Sequence, residues 1–535
     1  MDTADTSPPK KRRARLWIAV AVGIAVTFLL VVMVSVIPFR SETLRQKMVA
    51  ILSERLDSDV ELDSVRIRLL PRFHAEASGL TIRRKRQHDV PPLIIVKSLS
   101  VNAGFPGLLR KHVGKVTLSG LEINIPTGRA PDDERGGPTG GDQAGRSRDV
   151  NADARDIILD ELVSTDARLV IIPQKKDKSP RVWAIHQLRM RSVSFDRPMP
   201  FEAELTNAIP PGEIDVKGSF GPWRSRAPGE TPLEGTFTLA DADLGVFKGV
   251  AGILSAHGEF GGTLGRLTVH GETDTPKFTV AVGGHPVPLH ADYHATVDGT
   301  NGDTLLDRID GSFLKTSLVA KGSVVQTPGK DGRTVTLDIV MDKARIEDVL
   351  RLAVKAPKPP MSGALKLTTR FVLPPGERDV VEKLRLSGQF AIATAKFTSL
   401  DIQKKVEELS KRSRGPQPGE VDQPSVVSNF LGQFRLADGA LALQTLKFET
   451  PGTRVELAGT YNLRREMLDF KGMLLMDATV SQTQRGWRRF ALKPFDPIFG
   501  KKGGGGGTEM PIRIQGKRNQ PAFGLDRGRL LKRGG

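Results

Sequence analysis

Apolar and polar positions along this chain follow three different periods. From Leu16 to Ile37 the run LWIAVAVGIAVTFLLVVMVSVI carries no charge, and as a helix it spans about 33 Å, the thickness of a bilayer's hydrocarbon core. It predicts one transmembrane helix with Leu16, Trp17 and Ile37 as its membrane-anchoring positions. Next, Ser41 caps a predicted short amphipathic helix with Glu42 in its first turn, and Leu44, Met48, Ile51, Leu52 and Leu56 recur at helical spacing. The period then falls to two. Val60, Leu62, Val65, Ile67 and Leu69 alternate with polar residues, with one slip at Asp63 and Ser64 that predicts a bulge. Similar alternation marks Leu80 and Ile82, Leu93 to Val101, Val116 to Ile125, Leu169 to Ile172, Val335 to Met341 and Leu365 to Phe371. It returns in Leu441 to Phe448, Val455 to Tyr461 and Ile512 with Ile514, so the body reads as antiparallel β structure. Two further helices are predicted, over Ile346 to Ala353 and after Ser399 with Ile402, Val406 and Leu409 on one face. Thr127 to Asp153 has almost no large apolar residue to bury and reads as a disordered linker; a second polar stretch runs from Lys411 to Pro424.

Composition narrows the picture. The 535 residues suit three or four domains at roughly 150 residues each. Gly (55) and Pro (36) supply breakers for many short strands. The absence of cysteine removes disulfides, thiol chemistry and cysteine zinc sites. The net charge of +18 is scattered and not interleaved with stacking aromatics, which argues against nucleic acid. A basic surface beside an anionic bilayer gains about 1 kcal/mol per nearby Lys or Arg, so a membrane neighbour explains the sign at least as well, with a plain solvated surface as the commonest case. The apolar run ends in Met33, Ser35, Ile37 and Pro38, without the small residues of a cleavage site, so it reads as a retained anchor. Lys10, Lys11, Arg12, Arg13 and Arg15 precede it, against the more dilute Arg40, Arg45 and Lys47 after it. These five set the topology, with a cytoplasmic N-terminus and everything after Phe39 exported.

Candidate chemistry is sparse. His290, Asp292 and His294 point to one face of a predicted strand, as a metal triad would require, yet with no identifiable supporting partners the polar outer face of a strand is the preferred reading. Lys501, Lys502 and Gly503 to Gly507 lack the order of a phosphate-binding loop. Asp401, Glu407 and Glu408 read as solvated charges on a helix. Trp487, Phe490 and Phe495 with Arg485, Arg488 and Arg489 suit either a bilayer surface or a hairpin core. No serine elbow or His-Glu-x-x-His motif is present, so no catalytic residue, cofactor or metal is assigned and the chain reads as a non-enzyme. Gly271 to Phe278 (GETDTPKF) and Gly516 to Phe523 (GKRNQPAF) share Gly-x4-Pro-x-Phe and read as strand–turn–strand corners.

The anchor, the short helix and DVELDSVRIRLLPRFHAEASGLTI resemble the start of the AsmA family of bacterial envelope proteins. LSGQFAIATAKF, DIQKKVEELSKRSRG, FRLADGALALQTLKFETPGTRVELAGTYNLRREMLDFKG and MPIRIQGKRNQPAFGLD resemble that family's C-terminal region. Together they cover the two ends, roughly a third to a half of the chain. The resemblance implies a relative of TamB and the chorein-type bridge-like lipid transfer proteins: an inner-membrane-anchored, periplasmic protein acting in outer-membrane biogenesis. The fold it implies is mainly β, with one N-terminal transmembrane helix, an extended, curved antiparallel sheet forming a U-shaped groove, and a few short helices. The expected organisation is a basic tail (1–15), the anchor (16–37), an N-terminal AsmA-like region (38–126), the linker (127–153), a central β-rich region (154–345) and an AsmA-like C-terminal region (346–535). If continuous, roughly 20 to 25 strands would give a groove of roughly 100 to 120 Å. Phospholipids and the membrane are the expected partners, with envelope assembly proteins beside them. The alternative is a scaffold or regulator of outer-membrane protein assembly and targeting that carries no lipid.

Overall fold

The computed structural model describes residues 42–526 apart from 57, 69–72, 85–90, 105–111, 127–157, 173–180, 195, 223, 225–227, 300, 328, 331, 399, 415–427, 480–506 and 519. The predicted anchor, the five basic residues that precede it, the Thr127 to Asp153 linker and the Trp487 cluster lie outside the described residues. No helix among those described is long and apolar enough to cross a membrane. The described chain is mainly β, and its contacts divide it into two units, Met1–Ala208 with Ile214–Leu233, and Ile209–Glu213 with Glu234–Gly535.

In the first unit, helix α1 (Glu42–Leu56) sets Met48 and Val49 against buried Leu62, Val65 and Ala77. The Arg45 guanidinium donates to the Leu62 carbonyl at 2.8 Å, fixing the helix to the strands that follow. The slip at Asp63 and Ser64 interrupts two strands, β1 (Ser58–Glu61) and β2 (Ser64–Arg68), which pair with successive stretches of β3 (Phe73–Arg84). Gly79 lies opposite the break at φ +65°, where a Cβ would sit 1.8 Å from the Asp63 carboxylate. The sheet continues through β4 (Ile94–Ala103), β5 (His112–Pro126), β6 (Ile158–Ile172), β7 (Arg181–Val193), β8 (Met199–Ala208) and β9 (Pro211–Phe220). Its core is Val96, Val116, Leu118, Leu121 and Ala167. The expectation of a purely antiparallel sheet needs correction here: β5 and β6 run parallel, from His112 opposite Ile158 to Pro126 opposite Ile172. A parallel pair needs a long crossover. Residues 127–157 join these strands and, extended, reach on the order of 100 Å, ample to return along a strand of about 50 Å.

The second unit is a succession of antiparallel strands: β10 (Leu233–Asp243), β11 (Val250–Ala251), β12 (Ile253–Thr263), β13 (Arg266–Val280), β14 (Val287–Val297), β15 (Thr304–Phe313), β16 (Thr316–Gln326) and β17 (Arg333–Arg345). After helix α2 (Ile346–Ala353), which has the bounds the sequence predicts, come β18 (Met361–Leu373), the single turn α3 (Val380–Lys383), β19 (Arg385–Phe397) and helix α4 (Leu400–Arg414). Strands β20 (Ser428–Ala437), β21 (Ala440–Thr450), β22 (Thr453–Asn462), β23 (Met467–Met476), β24 (Thr508–Lys517) and β25 (Gln520–Leu525) complete it. α4 runs into the stretch read as polar loop. Ser410 Oγ donates to the Pro451 carbonyl at 2.7 Å and the Ser413 carbonyl accepts the Ala478 N–H at 2.7 Å, so the β21–β22 turn and the segment after β23 together hold its last turn.

The two Gly-x4-Pro-x-Phe segments are not alike. Gly516 to Phe523 is the tight hairpin between β24 and β25, with Lys517 opposite Gln520. Gly271 to Phe278 is no corner: it lies within β13, paired along both sides. Pro276, which has no N–H for the ladder, sits where the register to β14 shifts between Thr275 and Phe278, so the strand bulges there and does not turn.

Helix α2 seals one rim of this sheet. Buried Asp348 accepts from Thr316 Oγ1 (2.8 Å) and the Lys315 N–H (3.0 Å), and Ile346, Val349 and Leu352 pack on Val287, Phe313, Met341, Leu365 and Ile392. Opposite rims also meet. The Val380 N–H donates to the Lys248 carbonyl at 2.7 Å, joining the β18–β19 connection to the loop before β11. Arg518 Nη2, in the β24–β25 hairpin, donates to the Lys355 carbonyl beyond α2 at 3.2 Å. In each case the rims belong to strands seven places apart in the order.

Candidate functional site

The alternation of the second unit's strands sorts its side chains onto two unlike faces. On one, direct cross-strand pairing runs from Phe237 through Gly258, Gly271, Tyr293, Ile309 and Ala320 to Ile339. The row continues through Thr369, Gly388, Phe434, Leu443, Gly459 and Phe470 to Ile514 and Phe523. A parallel row passes Met341, Leu367, Phe390, Gly432, Leu446, Leu457, Gly472 and Ile512. At about 4.8 Å per strand the first row follows the sheet for about 65 Å and the second for about 35 Å.

Glycines on this face lie directly opposite large side chains. A Cβ at Gly432 would be 2.6 Å from the Phe390 ring, one at Gly459 2.7 Å from Phe470, and one at Gly271 2.7 Å from the Tyr293 hydroxyl. The rings lie down across the glycines and so make a low, continuous apolar surface. Burial raises the Tyr293 phenol above its ordinary range. Away from the rim that α2 seals, Phe237, Ile309, Ile339, Phe434, Leu443 and Ile514 remain half-exposed. Phe523, on the last strand, is 74% exposed.

The other face is polar, and in β12 to β15 it concentrates histidines and acids. Direct pairing aligns His257 with Glu272, Glu272 with Asp292 and Asp292 with Asp310, flanked by Asp274 opposite His290 and by His270 opposite His294. His290 Nδ1 donates to Asp274 Oδ1 at 2.8 Å, and Nε2 lies 3.5 Å from Asp292 Oδ2. The bond to Asp274, then the surrounding carboxylate charge, raises the His290 pKa above its usual value.

The structure therefore separates the triad suggested by the sequence. His290 and Asp292 stay together, but His294 stacks edge-on against His270 with ring centres 4.3 Å apart. In its place come Glu272 and Asp274. Both belong to the segment read as a turn; the strict alternation of His270, Glu272 and Asp274 with Leu267, Val269, Thr273 and Thr275 is the signal that places them on a strand beside His290. Glu407 accepts from Gln403 Nε2 at 3.1 Å along its own helix. The anchoring residues Leu16, Trp17 and Ile37, the topology-setting Lys10, Lys11, Arg12, Arg13 and Arg15, and the lysines of the glycine-rich loop lie outside the described residues.

Comparison with protein-family models, curated proteins and solved structures returns no match.

Proposed function

We propose that this chain is an AsmA-like envelope protein, held at the inner membrane by residues 16–37, whose apolar sheet face binds phospholipid acyl chains in outer-membrane biogenesis. The observation that carries the reading is an in-register, mostly apolar row across the second unit's strands, partly exposed at Phe237, Ile309, Ile339, Phe434, Leu443 and Ile514 and buried at Ala320, Thr369 and Phe470 between them. Water against that surface is costly, and each acyl CH₂ buried on it contributes about 0.8 kcal/mol without polar recognition. Hydrogen bonds between rims seven strands apart are what a sheet curled around one face would make, and side chains of the apolar face are less exposed than their polar-face neighbours, as a curl toward that face produces. Closures of about eight strands leave room for side chains or one slim ligand. In this reading headgroups stay at the solvent edge while tails lie along the glycine–aromatic rows.

The test is native mass spectrometry with lipid extraction on the full chain in mild detergent, paired with photo-crosslinking. A benzophenone side chain at Phe434 or Leu443 is expected to capture phospholipid, and one at Gln433 or Thr445, on the opposite face, is not. A folded protein without extractable lipid, or equal capture from both faces, would remove acyl-chain binding and leave a scaffold in outer-membrane protein assembly as the better reading.

A further inference from the structure

The polar face carries a second arrangement that a lipid-binding sheet does not require. Glu272, His290 and Asp292, on the adjacent strands β13 and β14, bring a ring nitrogen and two carboxylates together, with their donor atoms all within 4.8 Å of one another. Like charges placed directly opposite on neighbouring strands destabilise a sheet, and here Glu272 faces Asp292, which faces Asp310. Arg308 hydrogen-bonds Asp310 and offsets that member of the row. At the far side His257 approaches Glu272 at 3.6 Å, and between them the Glu272 and Asp292 carboxylates share His290.

His290 is held in the orientation a metal ligand needs. A carboxylate can only accept, so the bond from Nδ1 to Asp274 places the proton of the neutral ring on Nδ1 and leaves the Nε2 lone pair on the side of Asp292. A ligating histidine is characteristically oriented and made more basic by such a carboxylate on its other nitrogen. We infer that Glu272, His290 and Asp292 bind a divalent transition-metal cation of the zinc class, with Asp274 as the residue that positions His290. Calcium and magnesium take oxygen donors, whereas an imidazole with two carboxylates suits zinc and its neighbours. Two carboxylates and a neutral imidazole balance a 2+ ion, and three protein ligands leave one tetrahedral position open to water or an exogenous donor. Tetrahedral donors stand roughly 3.3 Å apart around bonds of about 2.0 Å, a closure that needs only side-chain rotation on this solvent-facing surface. The ion would clamp β13 to β14 and cancel the repulsion across them.

The test uses the full chain in mild detergent, stripped with EDTA and dialysed against ZnCl₂ with metal counted by mass spectrometry. One zinc is expected to be lost, or its affinity lowered at least tenfold, in His290→Ala and in Glu272→Gln, and retained in His186→Ala, which changes another strand-borne histidine, hydrogen-bonded to Thr206. Asp274→Asn, which leaves the three ligands in place, is expected to weaken binding by about 10- to 100-fold. Zinc should raise the melting temperature of the wild type and not of His290→Ala. Cobalt is the spectroscopic probe: visible bands of a tetrahedral site, displaced by zinc, are expected in the wild type. Zinc binding by His290→Ala equal to wild type, or no specific zinc in the wild type, overturns the assignment. Should His290→Ala fail to fold, unchanged affinity in Asp274→Asn together with the absence of a cobalt spectrum in the wild type does the same.

Discussion

The two faces of the second unit are built from the same strands, residue by residue, and yet they obey different rules. On the apolar face side chains are fitted to what lies opposite: at Gly432 the Phe390 ring takes the space of a Cβ at 2.6 Å, while at Gly459 and Gly258 the backbone of the next strand stands closer still (2.1 Å from the Asp469 carbonyl, 2.3 Å from the His270 carbonyl) than the Phe470 and Phe237 rings. On the polar face side chains reach outward and meet through charge, as Lys447 does with Glu456 at 3.4 Å and Arg454 with Glu449 at 2.8 Å. Packing constrains shape at short range, while exposed ion pairs tolerate replacement and contribute about 0 to 1 kcal/mol. Adjacent residues of one strand should therefore respond to substitution very differently.

The largest contrast is expected at Leu365 and Lys366. Leu365 is 3% exposed among Met341, Ile392 and the underside of α2, so Leu365→Ala should cost about 2–5 kcal/mol through lost burial and the cavity left behind. Lys366→Ala, one residue on and facing solvent, should stay within about 0.5 kcal/mol. Thermal melts of the two variants check this, and equal losses would erase the distinction between the faces. A smaller effect is expected at Gly432. Its Cβ position is 2.6 Å from the Phe390 ring, so Gly432→Val must displace that ring and should cost about 1–3 kcal/mol. Shortening the ring in Phe390→Leu/Gly432→Val should recover part of the loss, whereas Leu431→Ser, on the polar face and 52% exposed, should cost little. Additive losses in the double variant would show that the two side chains do not share space.

How far these faces could be read in the sequence depends on the range of the interactions involved. Period-two alternation is local, so strands such as Val335 to Met341 and Val455 to Tyr461 were legible, as was the slip at Asp63 and Ser64. Helix α2 was legible to its ends, because Ile346, Val349 and Leu352 carry a helical period between two strands. Pairing partners are not local. Nothing near Gly432 names Phe390, and the parallel β5–β6 pair depends on a return through residues 127–157 that strand patterning does not encode. Pro276 misdirected the reading of Gly271 to Phe278, because proline marks turns far more often than bulged strand interiors. That one error hid Glu272 and Asp274 from His290 and left the acidic cluster without its orienting partner.

The smallest expected effect carries the comparison to the polar face of the first unit. His74 donates from one ring nitrogen to Glu76, at 2.9 Å, and bonds Asn102 through the other, at 2.6 Å. The Glu76 bond first, then that to Asn102, raises the His74 pKa, and the same His74 bond lowers that of Glu76. A raised histidine pKa means that the native state binds the proton more tightly than the unfolded chain. Its contribution is therefore complete below the unfolded value of about 6.5 and is lost as pH rises through the folded value. The lowered glutamate pKa acts in the opposite sense, complete above about 4.5 and lost as pH falls through the folded value. Both are complete together only between roughly pH 4.5 and 6.5, and with Glu76 about half-exposed the stabilisation there should be a small fraction of that from Leu365. The melting temperature of the wild type minus that of His74→Gln should peak in this window and shrink in high salt. A difference that grows above pH 8 would mean that His74 serves the fold as a neutral packing group, and the polar face would then be less tolerant than its exposure suggests.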